Sequence, residues 1–218
     1  MRSLSRHSKL DQFTLDIEFL LISVVQGVAL SVLATSSIEP ISNLTFSVWL
    51  YIISAFLLLF IFWSQAIIHA ISFIDWPLDL PHNFLYFLAS FVQVLSFSKV
   101  SDPLHWFAFT GGLFAVASVL YYVDYNLILN RKSEFGQSEQ GKALYKHIVS
   151  VHVLEMKYLV PAGLIFNSAA AYMIWKFPLA TNYHFGAIIL QVIFLAAVLM
   201  NSIRSFKARS LLIENVID

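Results

Sequence analysis

A chain of 218 residues that is 59% hydrophobic and only 12% charged, with a mean hydropathy of +0.75 and 20 phenylalanines, has more apolar side chains than a single water-soluble core of its size can hide. Its 13 basic and 13 acidic residues cancel to a formal net charge of zero, and no nucleic-acid partner is expected. The absence of cysteine excludes a disulfide, a thiolate metal site, a catalytic thiol and a palmitoylation anchor.

The apolar runs are continuous, without the alternation of barrel strands, so they predict helices in a bilayer. A hydrocarbon core about 30 Å thick needs about 20 helical residues per crossing. Six runs qualify: Asp16–Ser36, Phe46–Phe73, Pro81–Phe97, Leu104–Asn126, Ser150–Trp175 and Tyr183–Asn201. The expected fold is all-α, a polytopic bundle of six transmembrane helices. Residues 1–15 form an N-terminal tail, 16–203 the membrane domain with a connection at 127–149, and 204–218 a C-terminal tail. The apolar part of the first run is too long for a cleavable signal peptide and is preceded by Asp16 and Glu18.

Positive charge marks the cytoplasmic side. Arg2, Arg6 and Lys9 in the first tail, Arg131, Lys132, Lys142 and Lys146 in the long connection, and Arg204, Lys207 and Arg209 in the last tail share one side if there are six spans. Only Lys99 and Lys176 lie opposite, while Lys157 falls within the fifth span. Both termini are therefore predicted cytoplasmic, with localisation as a multi-pass integral membrane protein. Within the connection, 142–157 is expected to form a helix running straight into the fifth span.

Polar groups in hydrocarbon cost free energy unless they meet a partner or water. In the first span Ser23, Gly27, Ser31 and Thr35 recur every four residues. That stripe reads either as a close-packing surface or as a pore lining, with Leu30 or Leu33 as a hydrophobic constriction. In the second span Gln65 and His69 share a face, and in the third Asn83, Tyr86, Ser90 and Gln93 do so. These faces are expected to meet, with His69 bonding Asn83 or Gln26 in a polar network. Beside a pore, His69 would make opening pH-dependent. His152, Glu155 and Lys157 open the fifth span just before Pro161, and are expected to snorkel or pair near the interface, with Asp124 and Asn126 as further partners for Lys157 or for the basic connection. No phosphate loop, dinucleotide fingerprint or metal-hydrolase pair is present. Asp75, Asp79 and His82 are broken apart by Pro77 and Pro81, so no catalytic residue, cofactor or metal is expected.

The first helix carries Val24-Val25-Gln26-Gly27-Val28, the second Trp63 and His69, and Asp75 precedes Asn83 at the third. In this order the chain resembles the six-helix potassium channels related to lysosomal transmembrane protein 175 and its bacterial homologues. It departs from them in having Gln26 where the family has Asp, in lacking the family's Arg and Phe-Ser pair, and in a longer Trp-to-His spacing. The resemblance implies a homo-oligomer with first helices around a central pore, a hydrophobic filter and monovalent cations as cargo. The other expectation is a non-conducting subunit whose basic face, Arg131, Lys132, Lys142 and Lys146, engages anionic lipid or a cytoplasmic protein partner. An intramembrane hydrolase is a remote third.

Overall fold

In the computed structural model the described residues are 2–43, 46–72, 80–130, 132–135, 139–177 and 183–217, and among them the fold is all-helical. The helices are α1 (Arg2–Ser42), α2 (Phe46–Ser72), α3 (Leu80–Phe97), α4 (Pro103–Asn130), α5 (Glu139–Leu154), α6 (Val160–Lys176) and α7 (Tyr183–Ile217), with a 3₁₀ turn at Lys132–Phe135. Five stretches are long and apolar enough to cross a membrane: Phe19–Ser42, Val48–Ile68, Pro103–Asn130, Glu139–Lys176 and Tyr183–Leu212. The third expected span forms as α3, which has 18 residues, carries His82, Asn83, Ser90 and Gln93, and is not among these five.

Helix ends differ from the sequence reading in a consistent direction. The first helix extends back to Arg2 and the last forward to Ile217, so both expected tails are helical where they are described. The extension of α7 has a packing reason: α5 lies against it, and Ser202 and Arg209 are buried there.

The bundle is held by α4 against α6, α3 against α4, α2 against α7, and α1 against α2 and α3. Its core gathers Ala29, Leu33, Tyr51, Phe97, Trp106, Phe107 and Leu195. Close approach of α4 and α6 depends on glycine: a Cβ at Gly163 would lie 2.4 Å from the Phe114 ring. Small residues permit such contacts in lipid, where packing replaces the hydrophobic drive between helices.

The expected helix through the start of the fifth span forms, but α5 and α6 are joined by a π turn, Glu155–Leu159. Pro161 accounts for it. Proline has no N–H and its ring clashes with the carbonyl four residues back. The chain answers by widening one turn, closed by the Val160 N–H on the Glu155 carbonyl. The extra residue rotates Glu155 into the bundle, where it is 4% exposed.

Candidate functional site

Two places hold the chemistry: the outer face of α1 and a cavity at the centre of the bundle. On α1 the buried positions are Ile22, Gln26, Ala29, Leu33 and Ser37, which face α2 and α3. The opposite face is open. Ser23, Gly27, Leu30, Ser31 and Thr35 are all exposed, and a Cβ at Gly27 would meet nothing within 4 Å. The structure thus separates the two candidate constriction residues. Leu30 is 46% exposed beside the stripe, whereas Leu33 is 4% exposed in the core, because three residues turn a helix by about 300°. The Thr35 hydroxyl donates to the Ser31 and Val32 carbonyls at 3.0 Å, which leaves its oxygen lone pairs to face outward. Glu39, which the sequence reading passed over, continues the same four-residue spacing and is exposed, placing a carboxylate at the end of the stripe.

The central cavity, about 140 Å³, is lined by residues from α1, α2, α3, α4, α7 and the π turn with the start of α6. Its walls are apolar except at one end, where Gln65, His82, Asn83, Tyr121 and Glu155 come together. Gln65, Tyr121, Glu155 and Ser202 lie 18 to 21 residues from the opposite ends of their helices. At about 1.5 Å per residue that is roughly 27–32 Å, near the depth at which a hydrocarbon core gives way to headgroups.

Glu155 is the hub of this end. Gln65 Nε2 donates to its Oε1 at 3.1 Å and also to Ser202 Oγ at 3.0 Å, while the Tyr121 hydroxyl donates to Oε2 at 3.2 Å. Arg209, 7% exposed, lines an adjoining pocket with Glu155 and attracts it. Behind it, His152 Nε2 is 2.8 Å from the Tyr121 carbonyl, a contact that requires the proton on Nε2, and its ring stacks on Tyr121 with centroids 5.0 Å apart. His82 Nδ1 lies 2.7 Å from Asp124 Oδ1, joining α3 to α4.

Several expectations are corrected here. Glu155 does not pair with Lys157, which is exposed, because residues two apart on a helix point to opposite sides. Asp124 takes His82, and Asn126 Nδ2 donates to the Tyr122 carbonyl, so neither serves Lys157. Gln65 joins Glu155 and Ser202, while Gln26 Nε2 donates to Gln93 Oε1 at 3.3 Å. Among the described residues these bonds form two groups, and the residue expected to join them is His69. The side chain of His69 lies outside the described residues, as do Asp75 and Asp79. On α3, Tyr86, Ser90 and Gln93 are buried and Asn83 is half-buried, as their spacing predicts.

Among the basic residues, Lys132, Lys142 and Lys146 are exposed, and Arg131 lies outside the described residues. Lys142 Nζ is 2.9 Å from Glu139 Oε1, which partly cancels its charge. Arg209 leaves the basic face altogether for the interior.

A third polar group went unread in the sequence. Trp106 Nε1 donates to Gln191 Oε1 at 2.8 Å, Gln191 Nε2 donates to Asn167 Oδ1 at 2.9 Å, and Asn167 Nδ2 donates to the Gly163 carbonyl at 2.7 Å. All three side chains are fully buried, and the chain of bonds ties α4, α6 and α7 together. Compared with known proteins, the sequence and fold match no family model, no curated protein and no solved structure.

Proposed function

We propose that this protein is the subunit of an oligomeric membrane channel for monovalent cations of the potassium type. In this reading α3 completes six spans, both termini are cytoplasmic, and the first helices gather around a central axis. The single observation that carries it is the exposed face of α1, with Ser23, Gly27, Ser31 and Thr35 aligned and, among the described residues, nothing within 4 Å of a Cβ placed at Gly27. Small residues allow helices of several copies to approach, and hydroxyl oxygens with outward lone pairs suit a cation. Leu30 supplies the hydrophobic constriction; Leu33, held in the core, supports it from behind. Glu39 concentrates cations at one mouth. The sidedness of Lys and Arg and the resemblance in helix order to the potassium channels related to lysosomal transmembrane protein 175 support the same reading.

The test is potassium efflux from liposomes holding the purified protein, at neutral and mildly acidic pH, beside empty vesicles. The wild type is expected to exceed background, Leu30→Ser to raise the leak severalfold, and Glu39→Gln to lower cation flux. Flux indistinguishable from empty vesicles in all three proteins would refute the reading.

One observation favours a second reading. His147 Nε2 lies 3.4 Å from the Ser205 carbonyl, which joins α5 to α7, and Lys146, Arg204 and Lys207, next to these two positions in sequence, are exposed. A basic surface of this kind recruits anionic lipid or an acidic cytoplasmic partner. Neutralising Arg131, Lys132, Lys142 and Lys146 together would abolish binding to vesicles rich in anionic lipid while leaving the bundle folded; retained binding would count against it.

A further inference from the structure

The central cavity has a use that neither a pore on α1 nor a basic face requires. From Leu58 to Gln65 along α2, and from Leu113 to Tyr121 along α4, it runs about 10–12 Å at the usual helical rise. Apolar walls (Leu58, Ile61, Leu113, Phe114) occupy one end and polar side chains the other. That gradient is the gradient of a lipid lying in one leaflet, with its head at the polar level and its chain toward the membrane centre. At about 140 Å³ the cavity matches the size of the roughly 150 Å³ apolar cavity known to hold benzene, so it takes about six or seven heavy atoms. Phe87, which lines it and is 45% exposed, marks an opening on the α3 side through which a longer chain continues into lipid.

The polar end states what kind of head fits. Its charges answer one another: Glu155 is held by Gln65, Tyr121 and Arg209, and Asp124 is bonded to His82. On the cavity wall itself, what is left over is neutral. The Tyr86 hydroxyl, on a residue nine-tenths buried in the cavity wall, makes no close hydrogen bond among the described residues, although the Gln26 and Ser90 side chains approach it, and Gln26 Oε1 and Gln93 Nε2 behind it likewise make none. A buried polar atom without a partner costs about 1–3 kcal/mol, so a ligand hydroxyl delivered to Tyr86 recovers part of that cost.

We propose that the central cavity is a binding site for a neutral, hydroxyl-bearing single-chain amphiphile, with its hydroxyl on Tyr86 and its chain along Leu58, Phe62 and Leu113. The site stands whether or not the protein conducts, since its readout is binding and not flux.

The test is photolabelling of the full-length protein in phospholipid vesicles with a diazirine-bearing 1-octanol, read by peptide mass spectrometry. Saturable labelling of Leu58, Phe62 or Leu113 is expected, displaced by excess 1-hexanol. Tyr86→Phe should weaken it about three- to tenfold, the worth of one neutral hydrogen bond. Octane, which lacks the hydroxyl, should compete equally against wild type and Tyr86→Phe. Ala117→Trp, which fills the cavity, should abolish labelling in protein that retains its helical circular dichroism; if that variant fails to assemble, displacement by 1-hexanol in the wild type decides. Labelling that rises without saturation and falls on outward residues such as Phe84 and Phe91 overturns the site. Unchanged affinity in Tyr86→Phe overturns the assignment of the head group.

Discussion

The seam between α4, α6 and α7 and the outer face of α1 are built from the same kinds of residue and do opposite things. In the seam, Gly163 receives the Phe114 ring, and Trp106, Gln191 and Asn167 consume one another's hydrogen bonds. On α1, Gly27 has nothing against it, and the hydroxyl of Thr35 turns back on its own helix. A glycine or amide that is covered is structural glue, whereas the same residue left uncovered is available to another molecule. Composition does not distinguish the two; coverage does.

Substitutions that open the interior should therefore cost stability, and those on α1 should not. The largest effect is expected for Glu155→Leu, which removes the acceptor shared by Gln65 and Tyr121 and the counter-charge of buried Arg209: roughly 3–5 kcal/mol of unfolding free energy, read by a denaturant titration in mixed micelles. Next comes Gln191→Leu. It removes the partner of both Trp106 Nε1 and Asn167 Oδ1, and two orphaned buried groups predict a loss of about 2–4 kcal/mol. A loss below about 0.5 kcal/mol in either would mean that the interior is wetter and looser than the seam implies.

Gly163→Ala is expected to cost about 1–3 kcal/mol, since its methyl would overlap the Phe114 ring. The same change in a Phe114→Leu background should cost less, because the ring is gone; this is a coupling that a double-mutant cycle measures directly. Smallest of all is Gly27→Ala, predicted within about 0.5 kcal/mol for the subunit's own fold. It should still weaken self-association in a cross-linking assay if copies meet on this face. A large destabilisation by Gly27→Ala would break the contrast between the two regions.

Much of the architecture was legible in the chain. Continuous apolar runs located the helices, and the three- and four-residue spacing of Asn83, Tyr86, Ser90 and Gln93 identified the inward face of α3. The five long apolar stretches agree with a multi-pass membrane protein. What was not legible depends on coverage and on distant partners. The stripe on α1 and the choice between Leu30 and Leu33 turn on which side α2 and α3 take, and nothing local to α1 encodes that. Trp106, Asn167 and Gln191 are separated by 24 to 85 positions along the chain, beyond the reach of any periodicity. Glu155 is the intermediate case. Pro161 was a visible signal of an irregular turn, but the rotation of the carboxylate into the bundle follows only once the π turn is seen.

Single cysteines, each of which would be unique in this chain, report whether the open face of α1 lines a conduction path while its other face is core. Potassium flux would be measured in liposomes for Ser31→Cys and Leu33→Cys before and after a cationic methanethiosulfonate reagent. Block is expected at position 31 and no response at position 33. Flux that persists unchanged in modified Ser31→Cys, or block confined to Leu33→Cys, would contradict it.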